Sequence, residues 1–285
     1  MKKIKYFLLL IIVFGLTGCF NDNSMEDIKI TTSIYPITYV VSSLYSNHSE
    51  ITSIYPLDDD INNFKITNTL LEQYSNNDLF VFNGLSEEKK YVKKMLKNNR
   101  NLKIIDVASN IEYENSIEEL WLDPNNLLTI ANNIKKGFDE YITSTYLTNE
   151  IEEKYYDLKT NLTSLDGKLY SAVKNGNTST LIVSDNAFKF LEKYGITIIS
   201  LDHDTVTDKD VSDAKEAIYS GTCKSVFIKY KENVQNEVKD VIDSTGATKR
   251  ELYTMTNLTD IDIEKSDYIS LMNQNIEALK LELYK

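Results

Sequence analysis

Short apolar runs recur along this chain, each followed by a stretch in which apolar side chains return every three or four residues. Ile28–Ser33, Glu50–Tyr55, Asp78–Phe82 and Lys103–Val107 are runs of the first kind and predict strands. Between them, Ile37–Tyr45, Thr67–Tyr74 and Glu87–Lys97 carry helical spacing, with Thr67 placed to cap its helix and Asn83-Gly84 to make a turn. The alternation lapses in the middle of the chain, where Asn125–Tyr146 and Asn149–Val173 read as helices with no strand between them. Ile151, Tyr155, Leu158, Leu162, Leu165 and Leu169 give the second of these one long apolar stripe. Strands then return at Thr180–Ser184, Thr197–Leu201, Ser225–Lys229 and Lys249–Tyr253. Helices are predicted at Asn186–Tyr194, stopped by Gly195, at Asp208–Tyr219, at Asn233–Ser244, ended by Gly246, and at Asp267–Leu283. The pattern predicts an α/β fold: two lobes with mainly parallel sheets flanked by helices, joined by a single long connecting helix. The expected divisions are 28–148 for the N-terminal lobe, 149–175 for the connecting helix and 176–285 for the C-terminal lobe. A ligand site in such a body is expected in the crevice between lobes, at the carboxyl ends of strands.

Two stretches stand outside this alternation. Ile117-Glu118-Glu119-Leu120-Trp121-Leu122-Asp123-Pro124 holds the only tryptophan and one of three prolines. Leu120, Trp121 and Leu122 read as a strand-like run. Asp123-Pro124 then makes an extended corner, because proline pushes the preceding residue out of the α region, and Pro124-Asn125 suits a helix start. Side chains at such a corner are held rigidly, which suits a ligand site. The other stretch is the N-terminus. Lys2, Lys3 and Lys5 precede an apolar run, Tyr6 to Phe14, too short to be a good spanning helix. Leu16-Thr17-Gly18-Cys19 has the order of a bacterial lipobox. It predicts a signal peptide over 1–19 and a lipid on the Cys19 thiol, in preference to an uncleaved anchor helix. Residues 20–27 are then a polar tether, and the body faces outward from the bacterial cell membrane.

Composition narrows the function. With 285 residues and 42% hydrophobic content the chain buries a large core. A formal net charge of −12 disfavours nucleic acid, whose phosphates need a basic face. Of two cysteines Cys19 is assigned to the anchor, so Cys223 has no disulfide partner and reads as a small buried side chain. No glycine-rich phosphate loop, His-Glu-x-x-His or Gly-x-Ser-x-Gly occurs, and no enzyme activity is expected. Only two histidines exist. His48 lies in a polar turn and is expected to be solvent-exposed; His203 lies between Asp202 and Asp204 in a loop predicted to face the crevice. Tyr35 and Tyr55, before prolines at strand ends, are read as packing groups before cleft-lining ones.

Several of these stretches together resemble the cluster A-I solute-binding lipoproteins of zinc and manganese ABC transporters. Trp121-Leu122-Asp123-Pro124 is similar to the second half of that family's DPHxWLDP segment. Ser33-Ile34-Tyr35-Pro36 resembles its TSFYP, and Asp78-Leu79-Phe80-Val81-Phe82-Asn83-Gly84 its DLFVYNG. Asn186-Ala187-Phe188 with Tyr194-Gly195 resembles its DAFxYLxxxYG, and Asp267-Tyr268-Ile269-Ser270-Leu271-Met272 its DYLSLM. The resemblance spans nearly the whole chain after the tether. It implies a monomeric receptor, anchored to the membrane through Cys19, that holds a divalent metal between lobes and delivers it to an ABC permease and its ATPase.

The same resemblance assigns a ligand set: Asn62, Glu119, Asp185, His203 and Asn257, with Asp202 and Asp204 as alternatives to His203 in the loop 200–206. None keeps the residue type usual in the family. Two carboxylates, one imidazole and two amides suit a harder ion such as manganese better than zinc. Asp58-Asp59-Asp60 stands near the family's histidine-rich loop without imidazoles. Lys229 stands where the family usually shows glutamate, implying either a salt bridge across the cleft or a neutralised site that repels cations. A pocket that holds a polar organic ligand, and an adhesin-like surface protein, remain alternatives to the metal receptor.

Overall fold

The computed structural model describes residues 25–57 and 64–285. Cys19, the signal segment, Asp58-Asp59-Asp60 and Asn62 lie outside the described residues. The N-terminal lobe runs β1 (Ile28–Thr32), α1 (Tyr35–Tyr45), β2 (Ser49–Ser53), α2 (Asn68–Ser75), β3 (Leu79–Phe82), α3 (Lys89–Asn98) and β4 (Lys103–Asp106). Next come α4 (Glu119–Leu122), α5 (Pro124–Tyr141) and the long α6 (Thr145–Lys174). The C-terminal lobe runs β5 (Thr180–Val183), a 3₁₀ segment Asn186–Tyr194, β6 (Thr197–Ser200), α7 (Asp208–Tyr219), β7 (Ser225–Lys229), α8 (Asn236–Thr245), β8 (Thr248–Leu252), α9 (Asp260–Lys265) and α10 (Tyr268–Leu283).

Both sheets are wholly parallel and have the same strand order. The first is β2-β1-β3-β4 and the second β6-β5-β7-β8. β3 is buried at all four positions, as a strand covered on both faces by helices should be. Helix starts follow their caps. The Thr67 hydroxyl accepts the Leu70 N–H at 3.2 Å, and Thr207 with Asp210 closes a capping box at α7.

The lobes share one core. α6 buries Leu147, Ile151, Leu158, Leu162, Leu165 and Leu169 against α1, α5 and α10, elements from both ends of the chain. It starts at Thr145 rather than the expected residue 149, because the Ser144 side chain caps it by accepting the Leu147 N–H. The Trp121 indole N–H donates to the Thr254 carbonyl at 2.8 Å, and the Tyr268 hydroxyl donates to the Trp121 carbonyl at 2.5 Å. A smaller cluster, including Cys223, Val226, Ile228 and Val241, fills the far face of the second sheet. Burial there pushes the Cys223 thiol up to about 11.

Two expectations are corrected. Leu120-Trp121-Leu122 is not a strand but the turn of helix α4, its N–H groups bonded to the carbonyls of Ile117 and Glu118. A short buried apolar run has no period long enough to tell strand from helix. The corner after it is as expected: Asp123 is extended and its carboxylate accepts the Asn125 N–H at 2.9 Å, with Pro124 opening α5. His48 is not free in solvent. It is half-buried, with Nε2 2.8 Å from the Glu150 carboxylate on α6. A contact between residues so far apart in the chain leaves no local pattern.

Candidate metal-binding site

In each sheet the chain reverses direction of build-up between its first and third strands, β1 and β3, then β5 and β7. Ligand crevices form at such points because the flanking loops diverge there. In the C-terminal lobe the two strand ends supply opposite charges. Asp185 follows β5, and Lys229 is the last residue of β7. The Lys229 ammonium lies 2.5 Å from Asp185 Oδ2 and 3.3 Å from Oε1 of Glu118, which reaches in from the N-terminal lobe just before α4. All three side chains are 17–21% exposed, so the group is largely shielded from water. Burial disfavours the Lys229 charge, but Glu118 and Asp185 outweigh burial and hold its pKa above the usual lysine value.

The atoms behind these charges fix them. The other Asp185 oxygen accepts the Ala187 N–H at 2.7 Å. Ser116 donates its hydroxyl to the second Glu118 oxygen. Glu232 accepts the Lys229 N–H at 3.0 Å and the Ser184 hydroxyl at 2.6 Å, closing the ends of β5 and β7 together. The N-terminal lobe has a counterpart. Glu88, 2% exposed, accepts the Asn83 N–H at 2.8 Å just past β3. Burial without a cation pushes its carboxyl up to about 7. Gly84 donates its N–H to the Asp106 carboxylate at 2.9 Å, and a Cβ there would come within 2.0 Å of that carboxylate and force the Asp106 side chain to move.

Between the lobes opens a cavity of about 960 Å³, walled by Tyr55, Glu88, Tyr113 and Glu118 on one side and by Lys229 and Asn257 on the other. Of the residues assigned by resemblance, Asp185 meets Lys229 at its edge and Asn257 lines it, with its amide donating to the Tyr230 carbonyl at 3.5 Å. Glu119 is placed elsewhere. It is 7% exposed, and its carboxylate accepts the N–H groups of Glu114 and Asn115 at 3.0 and 3.1 Å. Its neighbour Glu118 faces the cleft instead. His203 is exposed in the loop after β6. Asp202 beside it is engaged by the N–H groups of Asn186 and Asp204, both at 3.0 Å. Tyr55 is 8% exposed and both packs and forms cavity wall.

Among the described residues no three His, Cys, Asp or Glu side chains are grouped to hold a metal. Two carboxylates converge from separate lobes, yet on an ammonium, which carries protons and no lone pair. With the Lys229 ammonium between them, the two carboxylates are already paired and leave no open seat for a divalent ion. Sequence reasoning singled out Lys229 and Asp185 but missed Glu118, which is one residue from the aligned position; the turn of α4 decides which glutamate faces inward.

Residues 30–281 match the family described as zinc-uptake complex component A, periplasmic. The chain belongs to that family. Its members are extracytoplasmic solute-binding proteins of zinc and manganese transporters, not enzymes. A curated relative, the manganese-binding lipoprotein MntA of Halalkalibacterium halodurans, is 22% identical over 310 residues, covering 98% of each chain. Among solved structures, the metal-dependent lipoprotein YcdH from Bacillus subtilis has a TM-score of 0.75 at 19% identity, covering 91% of this chain and 100% of that one. The laminin-binding protein Lbp of Streptococcus pyogenes has a TM-score of 0.70 at 16% identity, covering 90% and 99%. These last two likenesses establish the fold.

Proposed function

We propose that this chain is a monomeric, lipid-anchored solute-binding protein of an ABC importer, held at the outer membrane face through Cys19. It captures a divalent ion of the zinc or manganese class between its lobes and passes it to a permease driven by its ATPase. The observation that carries this reading is the convergence of Glu118 and Asp185, from different lobes, on one cationic point at 3.3 and 2.5 Å. A seat shared by two lobes is what a receptor needs if loading is to be sensed by a membrane partner. The shared core around Trp121 and α6 supports small loop shifts rather than wide hinge closure on loading. The test is thermal unfolding of purified, metal-stripped protein with zinc or manganese added. An ion at a hundred times its dissociation constant adds about 2.7 kcal/mol of stability; no shift with either ion removes the metal cargo from this reading.

A second reading rests on the size of the cleft. A cavity of about 960 Å³ exceeds what one ion occupies and is in the range of sites for organic solutes. With Lys229 supplying the cation, such a solute would hydrogen-bond to Asn257 and the surrounding carboxylates. Native mass spectrometry of protein purified from its own host separates the two: an organic mass retained in the absence of metal favours the second.

A further inference from the structure

We infer that Lys229 is a built-in competitor for the cargo seat: its ammonium occupies the point where Glu118 and Asp185 converge, and a divalent ion enters only as that ammonium leaves. This rests on the proposed receptor function and names what sets its metal affinity.

The charge count is the first support. Glu118 and Asp185 together carry two negative charges, which a divalent ion balances and a single ammonium half-balances. With Lys229 in place the seat is an ion-paired triad, and a second cation at the same carboxylates would face like-charge repulsion in a shielded site. An ammonium has no lone pair to offer a metal, so Lys229 acts only as a rival for the carboxylates.

The second support is mechanical. The Lys229 backbone is fixed, because it ends β7, pairs with Leu252 and gives its N–H to Glu232. Its four-carbon stem is the only part free to move. The cavity it lines, about 960 Å³, offers room for the head to swing aside without disturbing the sheet. Asp185 and Glu118 are each held by a second contact, to the Ala187 N–H and the Ser116 hydroxyl, so both stay in place when the lysine withdraws. The seat is therefore preformed and the occupant exchangeable.

Isothermal titration of zinc and manganese into the detergent-solubilised full chain, wild type against Lys229→Gln, tests this. Loss of the competing charge should tighten binding roughly a hundredfold, and Glu118→Gln or Asp185→Asn added to Lys229→Gln should abolish the gain. If both proteins bind and the variant binds tighter, the inference and the metal receptor both stand. Equal affinity overturns the inference and leaves the receptor. If only the variant binds, Lys229 does exclude the ion and the native cargo is not a metal. If neither binds, both fail. Should Lys229→Gln not fold, acetylation of wild-type lysines read by peptide mass spectrometry takes its place. Lys229 should be protected in metal-free protein and reactive at saturating zinc; unchanged reactivity overturns the inference.

Discussion

The two lobes solve one structural problem in two ways. Each sheet has the same strand order, and in each a glutamate shortly after the third strand takes up a backbone N–H at that strand's end, Glu88 at Asn83 and Glu232 at Lys229. In the N-terminal lobe the ends of β1 and β3 are neutral, Glu88 is buried, and burial, helped by the nearby Asp106 charge, drives its carboxyl toward the protonated form, with a pKa of about 7. In the C-terminal lobe the strand ends carry Asp185 and Lys229, and the charge is met by an ion pair that reaches across to Glu118. Burying a charge is costly unless it is neutralised or paired. One lobe neutralises and the other pairs, and the pair, shared with Glu118 of the first lobe, forms a charged seat at the cleft.

Four measurements press on that contrast. The largest effect is expected at the pair. Lys229→Met leaves Glu118 and Asp185 without their cation and should cost about 3–5 kcal/mol in urea unfolding at neutral pH. A loss under about 1 kcal/mol would mean that water, not Lys229, satisfies the carboxylates. Next comes Glu88. Its pKa lies near 7 in the folded protein against 4.5 ordinarily, so the folded state holds the extra proton between those values. The stability it contributes is fully present below pH 4.5 and is lost as pH rises through 7. That decline should amount to about 3 kcal/mol and vanish in Glu88→Gln. If the variant keeps the wild-type slope over this window, the N-terminal lobe does not neutralise its buried glutamate.

Trp121→Phe probes the join between lobes. It removes the indole donor to the Thr254 carbonyl while keeping an aromatic ring, and should cost about 1–3 kcal/mol. Melting as two separate transitions instead of one would show that this contact couples the lobes. The smallest effect is expected at Glu150, whose pKa is held down to about 2 by Lys154 and His48. Its stabilisation is present above pH 4.5 and lost as pH falls through 2. Glu150→Gln should cost under about 1 kcal/mol at pH 7, because the pair is near the surface. A larger loss would make the His48 contact a true clamp of the turn after α1 onto α6.

Much of the fold was legible in the chain because the signals are local. Alternating short apolar runs and helical stripes mark the strands and helices of both lobes. Thr67, Asp123-Pro124 and Gly195 act through hydrogen bonds and backbone angles within a few residues of themselves, so the sequence alone locates them. The apolar stripe from Ile151 to Leu169 likewise announces a long helix, and the ordered motifs announce the family. The glycine at 84 was visible as a turn, though its need for room beside Asp106 was not.

Where a charge points is a different kind of question. Glu118 and Glu119 are adjacent and chemically identical, and their roles part only because one turn of helix aims the first at Lys229 and the second at two loop N–H groups. The sequence alone likewise placed Lys229 near the cleft yet left open whether it bridged or repelled. That was decided by two strand ends from one lobe and a loop from the other meeting within ion-pair distance. Sequence determines what acts over a few residues; long-range assembly determines which charges share a point in space, and the character of this seat depends on that point.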